Sequence, residues 1–301
     1  MIDYLYLFLY KIFALLSRIL PRGLMDRLLM AISKFAYKFD RKHNHIINAN
    51  LKLAFGDKLS QNRRDEIGIN VFYNLLQNII GFMRRDSSSK EEILKGIEFK
   101  NSHIFQKALE DKRAVVLITA HYSNWELLSI AVALKFNIEL VAVGRKLDSP
   151  LMDRVLKRNR EKYGVEMVYR RGAIKNLLKA LKMGKVVGLL LDQHLGERQG
   201  GVEVSFFNHK ALHSPSASIL ARSLDALIIP IFIHTENYKS YKITFYEPIE
   251  LLKTENREAD ILKMTQAQAL VTQKIIENDP NQWFWVHKRW KGFYPDIYNR
   301  G

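Results

Sequence analysis

Hydrophobic positions along the chain follow two rhythms, which change over near residue 100. In the first part Leu24, Leu28, Leu29, Ile32, Phe35 and Phe39 recur at helical spacing. Ser60 then precedes a long segment whose apolar members include Ile67, Val71, Leu75, Ile79 and Phe82. Steps of three and four residues put such side chains on one face of a helix, so this part reads as an all-helical annex. Beyond it, short β-branched apolar runs alternate with amphipathic stretches. The runs cover 114–119, 138–143, 165–169, 186–191, 202–206 and 226–233, with 241–246 a further strand. This alternation predicts an α/β fold, a central and largely parallel mixed sheet flanked by helices. A helix over 173–183 is expected to stop at Gly184, a residue suited to the left-handed position after a helix. Another, from about 258 to 277, precedes the aromatic and basic stretch QWFWVHKRWKGFYP.

The first twenty residues stand apart. Residues 2–20 are almost all apolar, but Asp3, Lys11 and Arg18 interrupt them, so no unbroken run reaches the ~18 residues of a membrane span. Lys11 and Arg18 fall within about 20° of each other on a helix, leaving the remaining surface aromatic and aliphatic. Four aromatic residues (Tyr4, Tyr6, Phe8, Tyr10) lie in the first ten, which suits a helix lying in a bilayer interface. The expected division is 1–20 as a membrane-associating anchor helix, 21–100 as the helical annex and 101–301 as an α/β domain. Neither a repeat nor a low-complexity linker interrupts it.

Composition narrows the chemistry. The 301 residues include no cysteine, which excludes disulfides, thiolate nucleophiles and cysteine zinc sites. The formal charge of +16 implies a polyanionic neighbour: a nucleic acid, an acidic membrane surface or an acidic protein. No helix-turn-helix, RNA-binding or zinc pattern appears, which argues against nucleic acid.

Ligands of open α/β sheets collect at the carboxyl ends of strands. Four predicted strand exits carry polar residues there: Thr119-Ala120-His121, Gly144-Arg145-Lys146, Tyr169-Arg170-Arg171 and Leu191-Asp192-Gln193-His194. In HYSNWE, His121 is followed at the fifth place by Glu126. Nine histidines and 31 acidic residues make one such spacing expected by chance. Context adds weight, because Ser123 or Asn124 can cap the next helix and set Glu126 in its first turn. From there the carboxylate could fold back to fix the tautomer of His121 and favour its protonated form. It could equally be a helix-start carboxylate favoured by the dipole.

His121 to Glu126 after an apolar strand resembles the HX4(D/E) signature of the lysophospholipid acyltransferase superfamily. NANLKLAFG, HYSNWELL, LMDRVLKRNREKYG, LLLDQHLG, VSFFNHKA and NQWFWVHKRWK resemble, in order, segments of one branch, the late acyltransferases of lipid A biosynthesis. One departure is Asn208, which follows Phe206-Phe207 where that branch usually has glycine. The resemblance implies transfer of a fatty acyl chain from acyl carrier protein to a hydroxyl of a lipid A precursor. It implies His121 as the base, Glu126 as its orienting partner and Arg160 as the cation facing the thioester oxyanion. It further implies Arg170 or Arg171 as a substrate-phosphate contact, and Asp192 and Gln193 as a pair bonding an active-site arginine or the acceptor sugar. No metal or cofactor is implied beyond the acyl carrier as co-substrate, and the setting implied is the cytoplasmic face of a bacterial inner membrane with its phospholipids. Two other readings stand beside this one: an acyltransferase using a glycerophospholipid or glycosylated phosphoinositide acceptor, and a non-catalytic basic membrane-binding protein.

Overall fold

The computed structural model describes residues 2–170 and 172–299. The helical part comprises α1 (Ile2–Ile19), α2 (Arg22–Phe39), α3 (Arg41–Phe55), α4 (Gln61–Arg85) and α5 (Lys90–Leu94). The α/β part runs β1 (Ile97–Lys100), α6 (Ser102–Glu110), β2 (Val115–Thr119), α7 (Trp125–Phe136), β3 (Leu140–Gly144), α8 (Pro150–Glu161), β4 (Val165–Tyr169) and α9 (Ala173–Lys182). It continues through β5 (Val186–Leu190), β6 (Val202–Phe206), β7 (His209–His213), α10 (Ser216–Leu224), β8 (Leu227–His234), β9 (Tyr241–Phe245) and α11 (Arg257–Asn278).

Seven strands form one sheet in the order β1-β9-β8-β2-β5-β3-β4, and β6 pairs only with β7 in a separate antiparallel hairpin. Every neighbouring pair in the large sheet is parallel except β8 with β9. Alternate residues of a strand enter opposite layers, as the pleat requires. Val115 and Leu117 pack with α6 and α7, while Val116 and Ile118 pack with α9 and α10. Both faces being covered, β2 has no polar face to display and reads as an unbroken apolar run.

The sequence reading differs from the structure in three strands and one face. The run at 202–206 is not a member of the main sheet, and β1 and β7 escaped notice because each mixes polar and apolar residues over only four or five positions. The periodic stripe of α2 faces outward: Leu24, Leu28, Ile32, Phe35 and Phe39 are exposed, and only Leu29 of that set is buried. α1 is similar. It rests on α4 through Tyr10 and Ala14 and leaves Tyr4, Phe8, Phe13, Leu15 and Ile19 more than half exposed. Among the described residues no helix is long and apolar enough to cross a membrane.

The hairpin answers the question raised by Asn208. β6 and β7 meet at a two-residue turn in which Phe207 and Asn208 both have positive φ, 54° and 59°. Such turns need left-handed residues, and asparagine tolerates that conformation nearly as glycine does. Phe207 is strained there, but its ring is buried against Phe55, Trp285 and Trp290, which offsets the strain. With Ile47, Leu51, Ile67 and Val71 these aromatic residues form a core that caps the carboxyl end of the sheet and joins the helical part to the α/β part.

Candidate active site

Strand register brings the central pair together. Thr119 of β2 lies opposite Leu190 of β5, so two residues further on His121 and Asp192 face each other although 71 positions separate them. His121 Nδ1 is 2.9 Å from Asp192 Oδ1, and the indole Nε1–H of Trp283 donates to Asp192 Oδ2 at 2.8 Å. With Nδ1 committed, Nε2 of the imidazole is left to accept a proton. The ring is 23% exposed and Asp192 only 2%. It sits between Trp125 and Phe284, with centroids at 5.3 and 6.0 Å. Burial alone would depress the imidazolium, but the charge and hydrogen bond of Asp192 outweigh it and raise the pKa of His121. Burial likewise opposes ionisation of Asp192, and His121 and the indole hold its carboxyl below the usual range.

Glu126 takes another partner. Asn124 caps α7, its side chain accepting from Leu127 N at 3.1 Å, and this fixes Glu126 in the first turn. The carboxylate is gripped bidentately by Arg160, with Nε to Oε2 at 3.1 Å and Nη2 to Oε1 at 2.6 Å. Both oxygens being engaged, the expected Glu126–His121 contact gives way to Asp192–His121. Of the two roles the resemblance implies for Asp192, bonding an active-site arginine gives way in turn, since Arg160 pairs with Glu126. Burial works against the Glu126 charge, and Arg160 outweighs it, lowering its pKa. The end of the Met167 side chain, whose sulfur accepts from Arg160 Nη1, fills the space a Cβ on Gly144 would take.

Between α7 and the sheet, next to this pair, lies a narrow cavity of about 60 Å³. Its walls are mainly apolar, among them Leu117, Leu128, Val132, Leu140, Val165 and Ile231, and its polar lining includes Thr119, Glu126 and Arg160. Trp125 lines it too and touches the His121 ring, so one side chain connects the imidazole to the apolar cavity.

The structure separates the remaining candidates. Gln193 is half-buried next to Asp192. Arg170 lies at the end of β4, the edge strand, exposed and 3.3 Å from Gln199 Oε1, and Arg171 lies outside the described residues. Trp283, in the C-terminal aromatic stretch, has no role that the sequence pattern alone reveals. The same segment clamps the site: Phe284 N donates to His121 O at 3.0 Å, and Ser123, held at φ 51°, donates its N–H to Gln282 O at 2.7 Å. His287 Nε2 accepts from His194 N, and burial pushes both imidazoles down to about 4. They are neutral supports of the loop that carries Asp192.

A buried acid–histidine–indole chain beside a carboxylate–arginine pair, next to an apolar cavity, is a set of groups able to hold a proton and a negative charge close to an aliphatic ligand. Residues 1–292 match the profile of the family described as bacterial lipid A biosynthesis acyltransferase, and the chain belongs to that family. It is 25% identical over 278 residues to the lipid A biosynthesis lauroyltransferase of Escherichia coli K12, covering 90% of this chain and 87% of that protein. Against the lipid A biosynthesis acyltransferase 2 of Shigella flexneri it is 23% identical, covering 89% and 84%. Against the lipid A biosynthesis palmitoleoyltransferase of Escherichia coli K12 it is 23% identical, covering 90% and 86%.

Proposed function

We propose that the protein transfers a fatty acyl group from the thioester of acyl carrier protein to a hydroxyl of a lipid A precursor, at the cytoplasmic face of the inner membrane. The observation that carries this reading is the His121–Asp192–Trp283 chain standing beside the apolar cavity and the Glu126–Arg160 pair. His121 Nε2 removes the proton of the acceptor hydroxyl as its oxygen attacks the thioester carbonyl, and Asp192 favours the imidazolium that results. The carbonyl electrons move onto oxygen, where Arg160, anchored by Glu126, stabilises the charge. Collapse re-forms the carbonyl as an ester and expels the carrier thiolate, which takes the proton back from His121. The acyl chain is directed into the apolar cavity between α7 and the sheet, which widens to take its length. The exposed apolar faces of α1 and α2 support attachment within the bilayer interface rather than across it.

The test is acyl transfer by purified protein from carrier-bound laurate, myristate and palmitate to a lipid A precursor, read by mass spectrometry. One added acyl chain is expected, absent in His121→Ala. A wild-type protein that leaves the precursor unchanged with every donor, yet acylates a glycerophospholipid, would overturn the choice of acceptor.

A further inference from the structure

Arg85, the last residue of α4, is only 6% exposed, and Nε and Nη2 of its guanidinium are sealed from solvent with no hydrogen-bond partner. Among the described residues it forms no ion pair. A guanidinium keeps its proton, so its burial without a counter-charge is costly and calls for an explanation. Glu126 is the first charge that supports Arg85, but both of its oxygens belong to Arg160.

Arg85 lines a cavity of about 160 Å³ that Arg22, Arg84, Lys95 and Lys239 also line. Two carboxylates, Asp26 and Glu92, share these walls and are already engaged. Asp26 Oδ1 accepts from Gln77, and Glu92 closes the capping box with Ser89. Burial and then the like charge of Arg22 lower the pKa of Arg84, and the nearby charge of Asp26 only partly offsets them. The cavity also touches Gly81 and Asn124, the residue that caps α7. A Cβ on Gly81 would come within 3.0 Å of Arg85 Nη1 and 3.4 Å of Asn124 Nδ2, so the bare glycine leaves room for the guanidinium beside the start of the catalytic helix. Arg22 opens α2, so the cavity lies where the helices with exposed apolar faces meet the helix that carries Glu126.

We propose that this cavity binds a phosphoryl group, a phosphate monoester carried by the lipid acceptor, with Arg85 as the buried anchor and Arg22, Lys95 and Lys239 as the rim. A planar fork backed by cations from several directions suits a doubly charged tetrahedral anion better than a carboxylate. The site is distinct from the Arg170 position at the sheet edge. Assigning the phosphate to the acceptor rests on the proposed acyl transfer, whereas the binding of phosphate does not.

Calorimetric titration of the full chain in neutral detergent micelles, at constant ionic strength, tests this with inorganic phosphate, glucosamine 1-phosphate and micelles doped with phosphatidic acid. One site is expected, weakened tenfold or more in Arg85→Gln and several-fold in the exposed double variant Arg22→Gln/Lys239→Gln, with Lys175→Gln as an unaffected control. Should Arg85→Gln fail to fold, the rim variant decides. Tightest binding of the phosphosugar favours the acceptor, of phosphatidic acid a bilayer headgroup, and of inorganic phosphate a free ion. Absence of binding by wild type, or equal binding by the rim variant, overturns the site. His121→Ala should bind like wild type. A protein that binds phosphate but acylates nothing would thus sink the acyl transfer alone, and one that acylates without binding phosphate would sink this site alone.

Discussion

At the scale of single residues, the pairing of each carboxylate decides what its loss should do. On the proposed mechanism His121→Ala removes the base and with it proton transfer, a contribution of ~100- to 10,000-fold in rate. Asp192→Asn keeps the shape and one acceptor but loses the charge that favours imidazolium, so turnover should fall with little change in KM. The double variant should be scarcely worse than His121→Ala, because Asp192 acts through the ring. Glu126→Gln should instead be non-additive with Arg160→Gln, the partner it holds at 2.6 Å. A Glu126→Gln effect that vanishes in the His121→Ala background, and not in Arg160→Gln, would reinstate Glu126 as the ring's partner. The pH profile carries the same information. The imidazole must be neutral to accept a proton and its pKa is raised, so the acid limb of kcat/KM should lie above the ~6.5 of an ordinary histidine. In Asp192→Asn burial dominates and the limb should move to lower pH. An unmoved limb would mean that another group is the base. Linkage gives the matching stability term: the raised His121 pKa stabilises the fold below about 6.5, a contribution lost as pH rises through the folded value. The melting deficit of Asp192→Asn should therefore be larger at pH 6 than at pH 9.

At the scale of elements, the apolar cavity depends on α7 lying over β2, β3 and β5. Ala142 of β3 lines it, and Ala142→Phe should shorten the preferred acyl chain. Each methylene that no longer fits costs about 0.8 kcal/mol, roughly fourfold in kcat/KM. Comparison of carrier-bound donors of graded length checks this, and an unchanged order of preference would mean that the chain lies elsewhere. The outward stripe of α2 gives a second expectation. Deleting 2–20 should leave partial binding to anionic vesicles, and adding Phe35→Ser and Phe39→Ser should release the protein; full sedimentation of that combined variant with vesicles would place attachment elsewhere. These elements also show how far the sequence could be read. Strands buried on both faces announced themselves as apolar runs, and the cap at Asn124 with Glu126 behind it was legible because a helix start is local. The periodicity of α2 established a helix but not which way it faces, since an apolar stripe looks the same against a core or against lipid. The contact of His121 with Asp192 was beyond reach because it depends on β2 and β5 being neighbours, a matter of strand order that no local pattern encodes. Trp283 depended further on where the C-terminal segment returns.

At the scale of the whole molecule, a charge of +16 suits anionic partners, and the two proposed ones, an acidic carrier protein and an anionic bilayer, are separable. The lipid-facing candidates are α1 and α2, whose exposed apolar faces carry Arg18, Arg22, Arg27, Lys34 and Lys38 along them. α9 belongs to the layer on the opposite side of the sheet from α7 and presents Lys175, Lys179 and Lys182, all exposed, while Leu177, Ala180 and Leu181 pack inward. Exposed charges of this kind act through encounter more than through tight pairs, and they are screened over ~8 Å at physiological salt. KM for the carrier-bound donor should therefore rise with ionic strength. Reversing the three lysines to glutamate should raise it further and flatten that salt dependence, with melting temperature unchanged because none is buried. A small thioester without the carrier provides the control, since its KM should respond to neither salt nor charge reversal. If the triple variant keeps both the wild-type KM and its salt slope with the carrier donor, the stripe is only solvated surface. If the small donor loses as much as the carrier donor, the lysines act on the fold or the apolar cavity and the carrier docks elsewhere.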